Sequence, residues 1–370
     1  MRHRKLFYIA IAFCFSLLLT QCSVFRKPPE PDISWQLPED YDTVSISPDA
    51  KLLAVSVGKS QSRKIRGHQF SGRTSLELRN VFDGSLIEKI EAFAASSIAI
   101  NSDNSLMAVG TYYGDISIWN LQTGELLHSI IVPKEDLQYC INTRHDRPCR
   151  VAHITFSPDS RYLATYTNNQ GTDVWDVANG RQLYRLDKYS PTITSDSEFV
   201  AFSGKPIVFH RISDGKVAKK LKQEGSFILS PNDEKMAIYN SYSKQIGLYS
   251  FKDNSFKNSL FVKGNLTARK FDSSSRYLAV ANYIPSKGGG DFHVAFHTSS
   301  SSKSKTILTV YRLSNSGNIF KRILLSVKGV SRLYHTNIGF TEDSKILILA
   351  GYKGNVHLWN LEDLKFQFSF

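Results

Sequence analysis

Residues 154–165 read Ile154-Thr155-Phe156-Ser157-Pro158-Asp159-Ser160-Arg161-Tyr162-Leu163-Ala164-Thr165. Apolar and polar side chains alternate over Ile154 to Phe156, the period of a half-buried strand. Ser-Pro-Asp-Ser then supplies a turn, because proline fixes φ and the short polar side chains bond to nearby backbone groups. Tyr162, Leu163 and Ala164 resume as a second strand. The stretch is a β-hairpin, and Ala164 is small enough for a crowded position where two sheets pack face to face.

The hairpin is not alone. Val44 through Asp49 to Ala54 repeats it, as does Ile98 through Asp103 to Ala108. Further copies run from Pro191 through Asp196 to Ala201, from Phe227 through Asn232 to Ala237, and from Arg269 through Ser274 to Ala279. The seventh runs from Ile338 through Asp343 to Ile348. Each hairpin is followed by a third strand that ends in a pair such as Leu78-Arg79, Trp119-Asn120, Trp175-Asp176, His210-Arg211, Tyr249-Ser250, Tyr311-Arg312 or Trp359-Asn360. Turn residues (Asp83-Gly84, Thr123-Gly124, Asn179-Gly180, Asp214-Gly215) and a fourth strand come next. Four strands per unit, seven units and no helical periodicity in the body of the chain predict an all-β fold: a seven-bladed β-propeller of four-stranded antiparallel blades.

These units resemble WD repeats over roughly residues 43–370. Trp119-Asn120, Trp175-Asp176 and Trp359-Asn360 stand where that family carries its Trp-Asp pair. The family's Gly-His dipeptide is missing, and its turn aspartate is replaced by Tyr113 and Lys353. The resemblance therefore implies a propeller whose blades are held by apolar packing rather than by the family's side-chain network. The sequence leaves ring closure open: Phe366–Phe370 reads as the outer strand of the last blade, and Ile33–Leu37 could add to it or displace it.

The small-residue marks at 54, 108, 164, 201, 237, 279 and 348 are unevenly spaced, and three gaps, of 54, 56 and 69 residues, exceed the roughly 40–45 of a standard repeat. The excess lies in three insertions. Gly58–Thr74 and Tyr283–Lys305 each separate a second strand from a third, and Pro133–Arg150 joins one blade to the next. Strand directions alternate within a blade, so both connection types are expected on one rim. Enlarged loops on a rigid ring commonly carry binding residues. Together the three hold twelve basic side chains against four acidic ones, among them Lys59, Arg63, Lys64, Arg66, Arg73, Arg144, Arg147 and Arg150. This basic face is the candidate binding surface; solvated loops that merely keep the chain soluble are the plain alternative.

Residues 1–21 are a predicted signal peptide. Arg2, Arg4 and Lys5 precede a 14-residue apolar run from Leu6 to Leu19, shorter than the roughly 20 residues that span a bilayer. The run ends in Leu19-Thr20-Gln21-Cys22-Ser23, which resembles the lipobox of bacterial lipoproteins, with Gln21 at the position usually held by Gly or Ala. The resemblance implies export, cleavage before Cys22 and a lipid (palmitate-type) anchor on that cysteine; an ordinary secretory signal or an uncut anchor is the alternative. Ser23 in place of Asp implies, in a Gram-negative cell, the outer membrane. Residues 22–32 are a lipidated cysteine and Pro-rich spacer, and 33–370 the propeller.

Cys140 and Cys149 remain in the body of the chain, and in an oxidising compartment they are expected to form a disulfide. No nucleophile motif, phosphate-cradling loop or HExxH stretch occurs, so no enzyme activity and no cofactor are expected. Asp291, His293 and His297 lack a fourth ligand, and no metal site is assigned. Tyr112, Tyr113 and Tyr352 near blade tops could stack on sugars, though strand tyrosines more often serve packing.

The net charge of +13 favours acidic partners without naming one. Two readings of function stand. One is a membrane-anchored scaffold for envelope proteins. The other is a binder of an anionic polymer such as lipopolysaccharide, acidic glycan or nucleic acid. Nucleic acid is the weakest of these, because aromatic and basic residues are not interleaved as in single-strand binders.

Overall fold

The computed structural model describes residues 28–38, 41–65, 68–131, 149–168, 170–284, 305–315, 318–325, 327, 337–351, 355–364 and 367–368. Seven sheets of antiparallel strands follow one another along the chain. Blade 1 runs Tyr41–Ile46, Leu52–Val57, Ser75–Asn80 and Leu86–Glu91 from the axis outward. The first strands of blades 2 to 7 are Ala95–Ile100, Val151–Phe156, Pro191–Ile193, Ser226–Leu229, Asn265–Phe271 and Asn337–Phe340. These inner strands surround a central channel of about 840 Å³. The seven-bladed propeller is the fold.

The hairpin turns explain why the repeat tolerates so much sequence change. In blade 1, Ser47 Oγ donates to Asp49 Oδ1 at 2.6 Å and accepts the Leu52 N–H at 3.0 Å. Ser157 with Asp159, Thr194 with Asp196, Ser230 with Asn232 and Thr341 with Asp343 repeat the arrangement. The next residue in all seven turns (Ala50, Asn104, Ser160, Ser197, Asp233, Ser275 and Ser344) has φ between 51° and 61°. None is glycine, so hydrogen bonds from the Ser/Thr-Asp pair must hold a left-handed residue that is ordinarily disfavoured. Successive turns are also tied together: Asn104 Nδ2 reaches Asp49 Oδ2 at 2.8 Å, Ser195 N reaches Asp233 Oδ2 at 2.6 Å, and Ser275 Oγ reaches Asn232 Oδ1 at 2.9 Å.

Between blades the cores are apolar. Each of the seven junctions has its own buried cluster, and none extends through the whole molecule. Ala54, Ala108, Ala164, Ala201, Ala237, Ala279 and Ile348 are all fully buried in them. The expected loss of the polar network holds with one remnant: Trp175 Nε1 donates to Thr165 Oγ1 at 2.9 Å. Trp119 Nε1 bonds to Ser117 on its own strand, and Trp359 Nε1 is buried without a partner.

Ring closure corrects the reading of the C-terminal segment as the outer strand of the last blade. That position is taken by Ile33–Gln36, which pairs antiparallel with Asn355–Asn360 from Ile33 opposite Leu358 to Gln36 opposite Asn355. Gln367–Phe368 instead adds a fifth strand to blade 6, against Lys321 and Arg322. The physical reason is side-chain fit. Trp35 lies against Gly84 of blade 1, as Tyr184 of blade 3 lies against Gly215 of blade 4 and His128 of blade 2 against Gly180 of blade 3. The N-terminal strand carries the aromatic that this girdle requires at the junction of blades 7 and 1.

Candidate docking face

The insertion Gly58–Thr74 is a hairpin, Gln61–Ile65 paired with His68–Gly72, with Arg63 opposite Phe70 and Lys64 opposite Gln69. Alternation sends Arg63, Ile65 and Phe70 to one side and Ser62, Lys64, Gln69 and Ser71 to the other. The first side folds down onto blade 2. Ile65 and Phe70 pack on buried Phe93, Ala94, Tyr112 and Tyr113. Phe70 and Tyr113 ring centroids are 5.3 Å apart, those of Phe93 and Tyr113 6.2 Å. Backbone bonds from Ala94 N to Arg73 O (2.8 Å) and from Tyr112 N to Ala94 O (2.9 Å) join hairpin, inter-blade link and blade 2 into one layer. Gly72 is needed there, since a Cβ would sit 2.4 Å from the Ala94 Cα.

The candidate cations divide by role. The Arg63 guanidinium lies 4.8 Å over the Phe93 ring, and that of Arg150 lies 5.3 Å over Tyr112. Each such contact contributes about 0.5–1 kcal/mol at a partly exposed site. Arg73 donates to the Gly58 carbonyl at 2.9 Å and closes the hairpin's base. Lys59 and Lys64 are exposed. Of the described candidates, then, three take part in holding the hairpin and its aromatic bed, while Lys59 and Lys64, exposed like Arg63, lie outside that packing. Arg66, Arg144 and Arg147 lie outside the described residues.

The hairpin base, the link at Phe93 and the start of blade 3 at Arg150 are contiguous on this rim, because Arg150 touches Tyr112. The paired ends Ile284 and Lys305 of blade 6 bound the third insertion at the corresponding connection between second and third strands. Most of the second and third insertions, with Asp291, His293, His297 and Tyr352, lies outside the described residues. So do residues 1–27, including Cys22. Cys149 is buried and accepts a hydrogen bond from Gln170 Nε2 at 3.3 Å, while Cys140 lies outside the described residues. Among the described residues no group of three or more His, Cys, Asp or Glu is placed to hold a metal, and no helix is long and apolar enough to cross a membrane.

Tyr112 and Tyr113 are packing residues here, 8% and 9% exposed, which closes the sugar-stacking reading for both. What the sequence reading missed is the aromatic bed as a unit. The spacing of Arg63, Ile65 and Phe70 in the sequence is its only trace there.

A ring of seven antiparallel blades defines the class as a β-propeller, built from units similar to WD repeats. No protein-family model matches the chain. It is 30% identical over 146 residues to the WD repeat-containing protein SL1-17 of Schistosoma mansoni, covering 39% of each chain. It is 30% identical over 133 residues to the target of rapamycin complex subunit LST8 of Rattus norvegicus, covering 35% of this chain and 38% of that one. The COMPASS component SWD3 of Saccharomyces cerevisiae is 24% identical over 109 residues. The chain thus spans about four-tenths of the length of the first two curated relatives. Over 91% of its length it superposes on 94% of a chain in a crystal structure of a mitotic checkpoint complex, with a TM-score of 0.65 at 15% identity, a likeness of fold alone.

Proposed function

We propose that this chain is an exported, lipid-anchored propeller that acts without catalysis as a protein-interaction scaffold, docking an envelope partner on the rim that carries its enlarged connections. The observation that carries the reading is the seating of the first insertion. An aromatic bed and the Arg63–Phe93 contact fix a hairpin to the rim, while Lys59 and Lys64 remain in solvent. A loop that served only solubility would not need such anchorage. Two of the similar proteins are named as components of complexes, which supports a scaffold in general and no particular partner.

The rim is tested by photo-crosslinkers placed at residues 62 and 64 in cells, with a crosslinker at exposed residue 51 on the opposite rim as control. A partner captured from the first two positions only, and rebinding as a purified protein with affinity reduced by Lys59→Ser and Lys64→Ser, is the expected result. Equal capture at residue 51 would remove the rim from the proposal. The basic excess favours a second reading, an anionic polymer, whose binding would fall steeply between 50 and 200 mM salt.

The anchor is part of the same proposal: metabolic labelling with palmitate should mark the wild type and not Cys22→Ala. The Cys140–Cys149 disulfide belongs to it too, and thiol mapping of exported protein should find neither cysteine reactive before reduction.

A further inference from the structure

We propose that the central channel is a binding site for a small molecule bearing a phosphate or sulfate group, held by Lys270 and Arg269 of blade 6 with His153 of blade 3 facing them across the ring. The cavity, about 840 Å³, lies within the range of small-molecule sites. Its wall otherwise combines hydroxyl side chains such as Thr43, Ser45, Thr155 and Thr192 with apolar ones such as Phe156 and Ile228.

The charges on this wall are unbalanced. Arg150, His153, Arg269 and Lys270 line the channel, and the acid among its lining residues is Asp233. The Asp233 carboxylate accepts the Ser195 N–H at 2.6 Å at a hairpin turn. Nearby Asp272 accepts the Tyr277 N–H at 2.6 Å and the Ser274 hydroxyl. At the rim, Asp42 accepts the Tyr112 hydroxyl at 3.1 Å. Among the described residues no ion pair forms to Arg269, Lys270 or Arg150. A cation enclosed by protein without a counter-charge is costly, and low-dielectric walls concentrate its field within the channel.

Position in the repeat sharpens the argument. Arg269 occupies the place held by Val44, Ile98, Ile154, Phe227 and Ile338 in other blades, all buried apolar side chains. Its Nη2 donates to Ser226 Oγ at 3.1 Å, but Nε is buried without a partner. Lys270 occupies the place of Ser45, Ala99, Thr155, Thr192, Ile228 and Gly339. Two adjacent cations thus stand where the other blades place apolar and small residues, a substitution that packing does not explain. Burial lowers the Arg269 pKa to about 10 and lowers those of Lys270 and His153. Arg269 stays charged at neutral pH. A tetrahedral oxyanion offers several acceptors for guanidinium, ammonium and hydroxyl donors together.

The test titrates the purified full chain with inorganic phosphate, sulfate and glucose 6-phosphate by calorimetry, at constant ionic strength with chloride as the balancing anion. Saturable binding near one equivalent is expected for at least one, and at least tenfold weaker binding in Lys270→Gln. Tighter binding of the sugar phosphate than of phosphate would identify an ester as the natural ligand, and the reverse a free anion. Lys220→Ser, an exposed cation on the outer strand of blade 4, serves as the control that leaves binding unchanged; the channel and the rim are read by separate ligands, so failure here is distinct from failure of the rim. Should Lys270→Gln not fold, lysine acylation of the wild type followed by mass spectrometry replaces it, with the bound anion expected to protect Lys270 and not Lys59. Absence of saturable binding by any of the three, equal affinity in the variant, or unprotected Lys270 would overturn the proposal.

Discussion

The indole Nε1 of Trp35 donates to the carbonyl of Val81 at 2.8 Å. Forty-six residues apart, the two belong to neighbouring blades, the outer strand of blade 7 and the turn after the third strand of blade 1. The bond, with the Trp35 ring lying on Gly84, latches the ring where its two ends meet. Trp35→Ala removes the donor and much of the packed ring, and should lower unfolding free energy by roughly 2–3 kcal/mol. Urea denaturation gives the value, and a cost below 0.5 kcal/mol would show that the N-terminal strand does not close the ring.

Gly84 makes a complementary prediction. Its φ is +73° and a Cβ would fall 2.7 Å from Trp35. Gly84→Ala should cost about 1–2 kcal/mol. In a Trp35→Ala background the clash disappears and only the backbone term remains, so a double-mutant cycle should show coupling between the two sites.

Trp175 and Trp359 should respond differently to the same change. Trp175 donates to buried Thr165, whereas the Trp359 N–H is buried without a partner. Phenylalanine at 175 orphans the Thr165 hydroxyl and adds about 1 kcal/mol to the loss of ring volume. At 359 it removes an unsatisfied donor and costs only the volume. Chemical denaturation of the two variants, each against wild type, checks the order.

Removing the aromatic bed should free the hairpin without unfolding the ring. Phe70→Ser breaks the contact with Tyr113, and tryptic cleavage after Arg63 and Lys64 should accelerate at least tenfold. The main unfolding transition should move little, because the seven junction clusters are separate from this layer.

Acid should destabilise the fold through its turns. The Asp103 carboxyl is held below its ordinary value by the Ser105 hydroxyl and amide, and that of Asp343 by the Thr341 hydroxyl and the Lys345 amide. A carboxylate depressed in the folded state contributes stability that is present above its unfolded pKa, about 3.9, and is lost as pH falls through the folded value. Asp173 and Asp233, raised by burial, act in the opposite sense and are outnumbered by depressed turn aspartates. Tm should decline gently below about pH 6.5, where His153, its pKa lowered by burial, takes up a proton in the unfolded chain first, and fall more steeply below about pH 4. Asp103→Asn with Asp343→Asn should flatten that fall.

Much of this was legible in the chain itself because it is local. Apolar alternation, a Ser-x-Asp turn and a small residue after it require only near neighbours, so seven hairpins and three insertions could be placed without coordinates. Ala54 and its five alanine counterparts have the small size of inter-sheet positions, and all six are buried. The basic rim was legible only as composition. Lys59 and Arg63 look alike in sequence, yet one projects to solvent and the other lies on Phe93, because that difference depends on blade 2.

Ring closure, the aromatic bed and the cationic channel were decided by tertiary structure alone. Each depends on residues far apart in the chain: Trp35 with Gly84, Phe70 with Tyr113, His153 with Lys270. A two-residue period states which side chains share a face, but not which distant face they meet. Ile33–Gln36 and Phe366–Phe370 have equal claim as strands by local pattern. Only the fit of one indole against a glycine in the first blade separates them.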